Sequence, residues 1–444
     1  MQSAITVIDP YTGNVVAMAG AIGEKTGSRL FNYATARRQC GSAIKPISVY
    51  APALDKGVIT PASVIDDAPV RALGGKAWPV NSHSYFDGLV SVDEAIAESL
   101  NTCAVRVVEE LGVKESYNYM TDKLGFTTLV SDTDNPKQND INSASMGLGG
   151  LTRGVSTVEM AAAYAAFVNQ GVYNEPRTYS KVTDQDGKTV IDNTGDSWVA
   201  MKETTAYFMN KYLRQVVTSG TGGSAGFSGM TVAGKTGTTT DNYDRYFVGY
   251  TPYYVAAVWT GYEVNVKINA SGNPSAKLFR QVMSKIHANL PNKSFFSVDS
   301  GLTSVKVCMD CGNLASDLCA QDIRGSRVKT VEVASGTAPA AVCTCHVAVD
   351  WCAEGEAIAT EFCPADQVVQ KSAVDYTRSG VAASVGCRDE SSHLAALQAK
   401  PCQVHTSAST EEPTDPVDPN DPNAIDPSVP VDPNVPVDPG TSDP

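Results

Sequence analysis

The sequence predicts an α+β domain: an antiparallel sheet covered by helices on both faces, with an all-helical subregion, followed by a small Cys-rich module and a disordered tail. Three patterns carry this expectation. The first residues read as a β-hairpin, residues 230–266 read as three further strands, and amphipathic helical periods dominate between and after them. Together they form one layered unit, assigned to residues 1–290.

The hairpin comes first. Ile5, Val7 and Asp9 follow an alternating pattern, Pro10-Tyr11-Thr12-Gly13-Asn14 turns the chain, and Val15-Val16-Ala17-Met18-Ala19 resumes the strand. A helical pattern begins near Ser42. Another spans residues 92–111, with apolar residues at 92, 95, 96, 100, 104, 107, 108 and 111, and Gly112 stops it. A third opens with the capping box Ser156-Thr157-Val158-Glu159 and ends at Gly171. From Met230 to Val266 the chain is β-branched and aromatic, with Arg245 to Tyr250 and Tyr254 to Gly261 joined at Thr251-Pro252. Pro274 then starts a helix whose Leu278, Val282 and Ile286 share a face suited to lying on that sheet.

Residues 291–402 read differently. Nine of the eleven Cys fall between Cys308 and Cys402, which suits disulfides and an oxidising compartment. Residues 403–444 contain seven Asp, two Glu and no Lys or Arg, so this tail supplies most of the formal charge of −14. With ten Pro between residues 413 and 444, the tail is expected to be extended and solvated. No basic stripe is present, which excludes nucleic acid as a partner. No apolar run reaches the ~18 residues of a membrane span, and Met1 to Asp9 lacks the features of a signal peptide. Disulfides without an export signal imply a targeting or anchoring segment upstream.

Three short patterns could carry chemistry: Ser42-Ala43-Ile44-Lys45, Ser99-Leu100-Asn101 and Lys235-Thr236-Gly237-Thr238. Each is weak alone, because Ser326-Arg327-Val328-Lys329, Ser116-Tyr117-Asn118 and Lys25-Thr26-Gly27 match the same templates. A cap, solvated lysines and an ordinary helix surface would explain any one of them. Context selects the first set. Ser42 opens a helical stretch, so Lys45 lies on its face, and Lys235 sits in a β-branched run.

Their chemistry is coherent. A Ser hydroxyl attacks poorly until a neighbour removes its proton. Lys45 can do so if burial and a second cation, Lys235, lower its pKa. The backbone N–H groups of Ser42 and Thr238 would stabilise an oxyanion. Ser99 would relay a proton to a leaving amine, Asn101 would hold a substrate amide, and Lys235, Thr236 and Thr238, with Gly237 between, would bind a terminal carboxylate. The trio in this order is the Ser-x-x-Lys, Ser-x-Asn, Lys-Thr-Gly set of penicillin-binding proteins and serine β-lactamases.

The stretches Arg38-Gln39-Cys40-Gly41-Ser42-Ala43-Ile44-Lys45-Pro46, Ala97-Glu98-Ser99-Leu100-Asn101-Thr102, Gly147-Leu148-Gly149-Gly150-Leu151-Thr152 and Ala233-Gly234-Lys235-Thr236-Gly237-Thr238-Thr239, with Phe247-Val248-Gly249-Tyr250-Thr251-Pro252, carry a wider likeness. Residues 3 to 290 resemble the transpeptidase domain of class A penicillin-binding proteins. A weaker likeness continues through Val307-Cys308 and Gly312 to Asp317, similar to the extension after that domain. The resemblance implies an extracytoplasmic D-Ala-D-Ala transpeptidase acting on peptidoglycan stem peptides through an acyl-enzyme at Ser42, with β-lactams as covalent inhibitors and no cofactor. Full-length class A proteins also carry an upstream membrane helix and a glycosyltransferase domain, and neither is in this sequence. Cys40 stands where the family commonly has Pro.

Rivals remain in view. Gly229 to Thr236 matches the P-loop template but lacks the strand before the glycines and the helix after the Lys. A β-lactamase needs a carboxylate that activates water, and Ser99-Leu100-Asn101 lacks the central Asp. A D-Ala-D-Ala carboxypeptidase differs only in the acyl acceptor, and a β-lactam or muropeptide sensor would stop at the acyl-enzyme. Cys308-x-x-Cys311 with Cys343-x-Cys345-His346 could bind zinc, but the exported context ranks disulfides first and no metal is expected. Cys40 and Cys103 are a bridge or two packing residues. The five His show no ligand spacing apart from His346, and Trp78-Pro79-Val80-Asn81 is a packed loop or a groove wall.

Overall fold

The computed structural model describes residues 1–25, 27–132, 135 and 138–406; most of the expected tail therefore lies outside the described residues. Strand β1 (Gln2–Ile8) turns into β2 (Val15–Ala19). A helical run over residues 41–56 follows and changes pitch as it goes, from a 3-10 turn (Gly41–Ile44) through a wide turn (Pro46–Tyr50) to α1 (Ala51–Lys56). The paired strands β3 (Val64–Asp67) and β4 (Gly88–Ser91) lead into α2 (Val92–Ala97) and α3 (Asn101–Leu111). The single helix expected over 92–111 is thus two, broken at Glu98-Ser99-Leu100, where Ser99 takes a φ of 61°.

Next come α4 (Ser143–Leu148), α5 (Thr157–Val168) and α6 (Glu203–Thr218). The capping box at Ser156 and Glu159 forms as read from the sequence. Strands β5 (Ala233–Thr238), β6 (Asp244–Tyr250) and β7 (Val255–Gly261) precede α7 (Pro274–Ile286).

The sheet order is β5-β6-β7-β1-β2, antiparallel throughout. Its inner strands are apolar on both faces because helices cover both. Ala4, Ile8, Ala257 and Trp259 enter the larger core under α5, while Ile5, Val7, Ala256 and Val258 meet Phe279 and Met283 of α7. The run of alanines in α5 lets that helix approach the sheet closely. The face of α7 turned to the sheet is Ala276, Phe279 and Met283, with Leu278 and Val282 at its margin and Ile286 exposed, a correction to the predicted face. Polar anchors set this rotation: Asn273 Nδ2 donates to Tyr246 O, and Ser275 Oγ donates to Arg245 O.

Beyond residue 300 the chain forms a strand pair, β8 (Leu302–Cys308) with β9 (Val328–Ala334), and a three-stranded sheet in which β10 (His346–Cys352) pairs with β11 (Val368–Val374) on one side and with the short strand Ala357–Ile358 on the other. None of the eleven Cys is bridged, contrary to the disulfide expectation; Cys40 and Cys103 are buried packing residues. This extension grips the domain. Arg378, its side chain 3% exposed, donates to Asp66 of β3 and to Asp389, whose Oδ2 in turn accepts from Leu89 N of β4. Lys329 Nζ lies 3.1 Å from Asp93 of α2. Among the described residues no helix is long and apolar enough to cross a membrane.

Candidate active site

A cleft of about 1030 Å³ runs between the free edge of β5 and the start of the helical run; Ser42, Ser99, Asn101, Thr236 and Thr238 line it. Ser42 sits on the 3-10 turn at the mouth of the run. Lys45, one turn on, is fully buried. Lys235 is at the middle of β5, paired with Val248, and is also fully buried. Lys235 inside a strand that is followed only by the 3-10 turn Thr240–Asn242 and then by β6 removes the P-loop reading.

Close backbone approach holds the two sides together. A Cβ on Gly237 would collide with Cys40 O and crowd Ala43 Cβ. Gly41, at φ 52°, faces Thr238 in the same manner, its would-be Cβ 3.0 Å from Thr238 N. The two glycines thus seat the head of the helical run against β5 and bring the Thr238 amide to the residue preceding Ser42.

The break between α2 and α3 supplies the third wall. Lys45 Nζ donates to Ser99 O at 2.8 Å, Asn101 Oδ1 at 2.7 Å and Leu100 O at 3.3 Å. Lys235 Nζ donates to Ser99 Oγ at 2.7 Å and to Thr236 O at 3.3 Å. Both amines are buried, and among the described residues no carboxylate pairs with either. Burial, reinforced by the neighbouring Lys235, holds the Lys45 amine well below its ordinary value. Burial brings Lys235 down to about 7 against a small opposing effect of Glu98.

Thr236 Oγ1 lies 3.0 Å from Thr221 Oγ1, and Thr238 Oγ1 accepts from Arg245 Nη1 at 2.8 Å. All eight site residues named from the sequence therefore lie in this cleft or in the walls behind it. The alternative matches lie elsewhere: Ser116 is buried with its Oγ donating to Ser48 O, Lys329 pairs with Asp93, and Lys25 is exposed. Asp244, a carboxylate in the cleft wall, accepts from Trp259 Nε1 at 2.8 Å, and its backbone N–H donates to Thr239 Oγ1 at 2.9 Å, so it is engaged in the wall itself.

Some contributors carry no readable spacing. Asn81 Oδ1 accepts from Asn101 N at 2.8 Å, and its Nδ2 donates to Asp67 Oδ1 at 2.7 Å. Asp67, fully buried, also accepts from Thr102 Oγ1 and from Asp87 N. This network fixes the first turn of α3 and with it Asn101. Arg245 and Thr221 likewise emerge only from the fold. Trp78, Val80 and Asn81 line the cleft.

The family model described as the penicillin binding protein transpeptidase domain matches residues 3–284, and that of the penicillin-binding protein 1A C-terminal domain matches residues 298–348. Penicillin-binding protein 1A of Clostridium perfringens is 34% identical over 363 residues, covering 78% of this chain and 42% of the relative. Penicillin-binding protein 1F of Bacillus subtilis is 32% identical over 293 residues, covering 64% of this chain and 39% of the relative. The chain thus spans less than half the length of the curated relatives it matches. The crystal structure of penicillin-binding protein 1A from Haemophilus influenzae shares the fold with a TM-score of 0.63 at 22% identity, covering 77% of this chain and 54% of that one.

Proposed function

The chain belongs to the penicillin-binding protein transpeptidase family, and from that premise we propose that it is a serine D,D-transpeptidase that cross-links peptidoglycan stem peptides. One observation carries the reading. Two buried amines from distant parts of the chain meet at one turn, Lys45 on Asn101 and Lys235 on Ser99, beside the cleft that Ser42 faces.

In the proposed reaction Lys45, whose proton affinity is lowered by burial and by Lys235, accepts the Ser42 proton as Oγ attacks the carbonyl of the penultimate D-Ala. The N–H groups of Ser42 and Thr238 stabilise the oxyanion. Lys235, Thr236 and Thr238, with Gly237 allowing the close approach, hold the terminal carboxylate, and Asn101 orients the peptide amide. Collapse breaks the C–N bond, and Ser99, hydrogen-bonded to Lys235, passes a proton to the departing D-Ala amine. An amine of a neighbouring stem then attacks the ester, and Ser42 regains its proton. β-Lactams stop the cycle at the acyl-enzyme. The substrate places this activity at the outer face of the bacterial cell membrane.

Labelling with a fluorescent penicillin followed by peptide mapping tests the nucleophile. Label is expected on the peptide bearing Ser42, and Ser42→Ala is expected to abolish it with the circular dichroism spectrum unchanged; label that survives in the variant overturns the assignment. A stem-peptide donor with an amine acceptor tests the outcome. Cross-linked dimer supports the transpeptidase; free D-Ala without dimer would make it a carboxypeptidase, and acyl-enzyme without release a sensor.

A further inference from the structure

The Cys-rich extension repeats itself. Cys308-x10-Cys319 followed by Cys343-x2-His346 is echoed by Cys352-x10-Cys363 followed by Cys402-x2-His405. The structure repeats with it. In each copy the first Cys ends a seven-residue strand, β8 or β10, and a second seven-residue strand, β9 or β11, pairs back antiparallel. A backbone N–H just beyond the first Cys points at its sulfur, from Asp310 and from Gly355, both at 3.3 Å. The second Cys receives the N–H of the residue three before it, Ser316 or Thr360, again at 3.3 Å in both, and lies against that residue's hydroxyl.

Each copy closes on an imidazole. His346 Nδ1 lies 3.5 Å from the sulfurs of both Cys308 and Cys343, and Cys319 contacts Cys343. His405 Nδ1 lies 3.4 Å from Cys352 and 3.6 Å from Cys402, with Cys363 against Cys402 and His405. In the second copy the four ligand atoms all lie within 4.8 Å of one another. Both rings turn Nε2 outward to a carboxylate, Asp322 at 3.0 Å and Glu354 at 3.2 Å. With the ring proton on Nε2 at that contact, the Nδ1 lone pair is aimed at the sulfurs, the arrangement of a metal-bound His.

Metal–sulfur bonds of about 2.3 Å and metal–nitrogen bonds of about 2.0 Å imply tetrahedral edges of roughly 3.5 to 3.8 Å, which the sulfur–nitrogen separations match. A disulfide would need about 2.05 Å; the Cys343 and Cys345 sulfurs are 3.5 Å apart, and none of these thiols is bridged. N–H groups directed at sulfur favour thiolates, and three gathered thiolates need a cation.

We propose that the extension holds two structural zinc ions, one bound by Cys308, Cys319, Cys343 and His346 Nδ1, the other by Cys352, Cys363, Cys402 and His405 Nδ1. Four protein ligands leave no open position, so the ions organise the chain and perform no chemistry. The first site has two extra thiols, Cys311 and Cys345, and Cys345 lies within 4.8 Å of Cys308, Cys343 and His346. Their counterparts in the second copy are Gly355 and Val404, so the repeated set of three thiolates excludes them. Zinc replaces both the disulfides and the absence of metal expected from the sequence. The inference does not depend on the reaction at Ser42.

The test is metal content of the full 444-residue chain, without a histidine tag, by plasma mass spectrometry, after loading with zinc sulfate under reducing conditions and gel filtration. About two zinc per chain are expected. Cys319→Ser with His346→Ala should leave about one, Cys363→Ser with His405→Ala about one, and Cys311→Ser with Cys345→Ser should leave both. Cobalt loading of the unaltered chain should give the visible bands of tetrahedral thiolate coordination. A folded, unaltered chain with little zinc, or an intact mass showing these six Cys in disulfides, overturns the proposal. Zinc lost from the Cys311/Cys345 variant overturns the ligand assignment at the first site.

Discussion

A buried amine with no carboxylate partner binds its proton weakly, and two such amines share a single turn here. Lys235, near 7 when folded and 10.5 when unfolded, takes up fewer protons in the native state across the interval between. Stability is therefore expected to rise as pH increases from about 7 to about 10. Lys235→Met should flatten that rise in a series of thermal midpoints measured against pH. Lys45 is depressed in the same direction, so acylation by a penicillin should weaken as pH falls and Lys45 gains a proton; a rate that is flat with pH would remove Lys45 as the base. At Gly237 the constraint is steric. Gly237→Ala forces the strand away from Cys40 O and should cost about 1–3 kcal/mol in denaturant unfolding, with penicillin labelling reduced more than stability because Thr238 moves away from Ser42.

At the scale of the element, the strands were legible because alternation and β-branching survive burial on both faces, and the capping box marked α5 without ambiguity. The break at Ser99 was not. Leu100 keeps the helical apolar period, and nothing local argues against continuing; the cause is tertiary, since the carbonyls of Ser99 and Leu100 accept from Lys45 Nζ. The three candidate motifs were readable as letters in order, whereas Asp67 and Asn81, which hold the first turn of α3, carry no period or spacing. Asn81→Ala strips an acceptor from Asn101 N and a donor from Asp67. The expected loss is about 1–3 kcal/mol, read from the urea midpoint, together with slower acylation as Asn101 loses its fixed orientation.

Across the whole molecule, the extension and the domain meet at charges. Arg378 is nearly inaccessible between Asp66 and Asp389, so Arg378→Ala would remove the guanidinium that bridges two largely covered carboxylates, leaving Asp66 with only Arg106 at 3.9 Å and Asp389 with His393 at 3.2 Å. That should cost about 3–5 kcal/mol. Hydrogen exchange should quicken at β3 and β4 while β6 and β7 stay protected, and equal loosening of all four would show that the contact does not act locally. Composition exposed the Cys-rich region and the acidic tail readily. It did not disclose whether the thiols were bridged, since a count of Cys is silent on which sulfurs face an imidazole.

Among the described residues strand β5 has a neighbour on one side only, and its other margin opens on the cleft. An unpaired margin ordinarily invites association with stray chains. Here it can serve as a ruler. Any peptide that docks there must lie stretched out and borrow the pleat of the strand, so successive side groups point alternately into the wall and out to water. Which end reaches Ser42 would then be decided by backbone direction before any side group is recognised, and branched or coiled molecules would be turned away by the main chain alone.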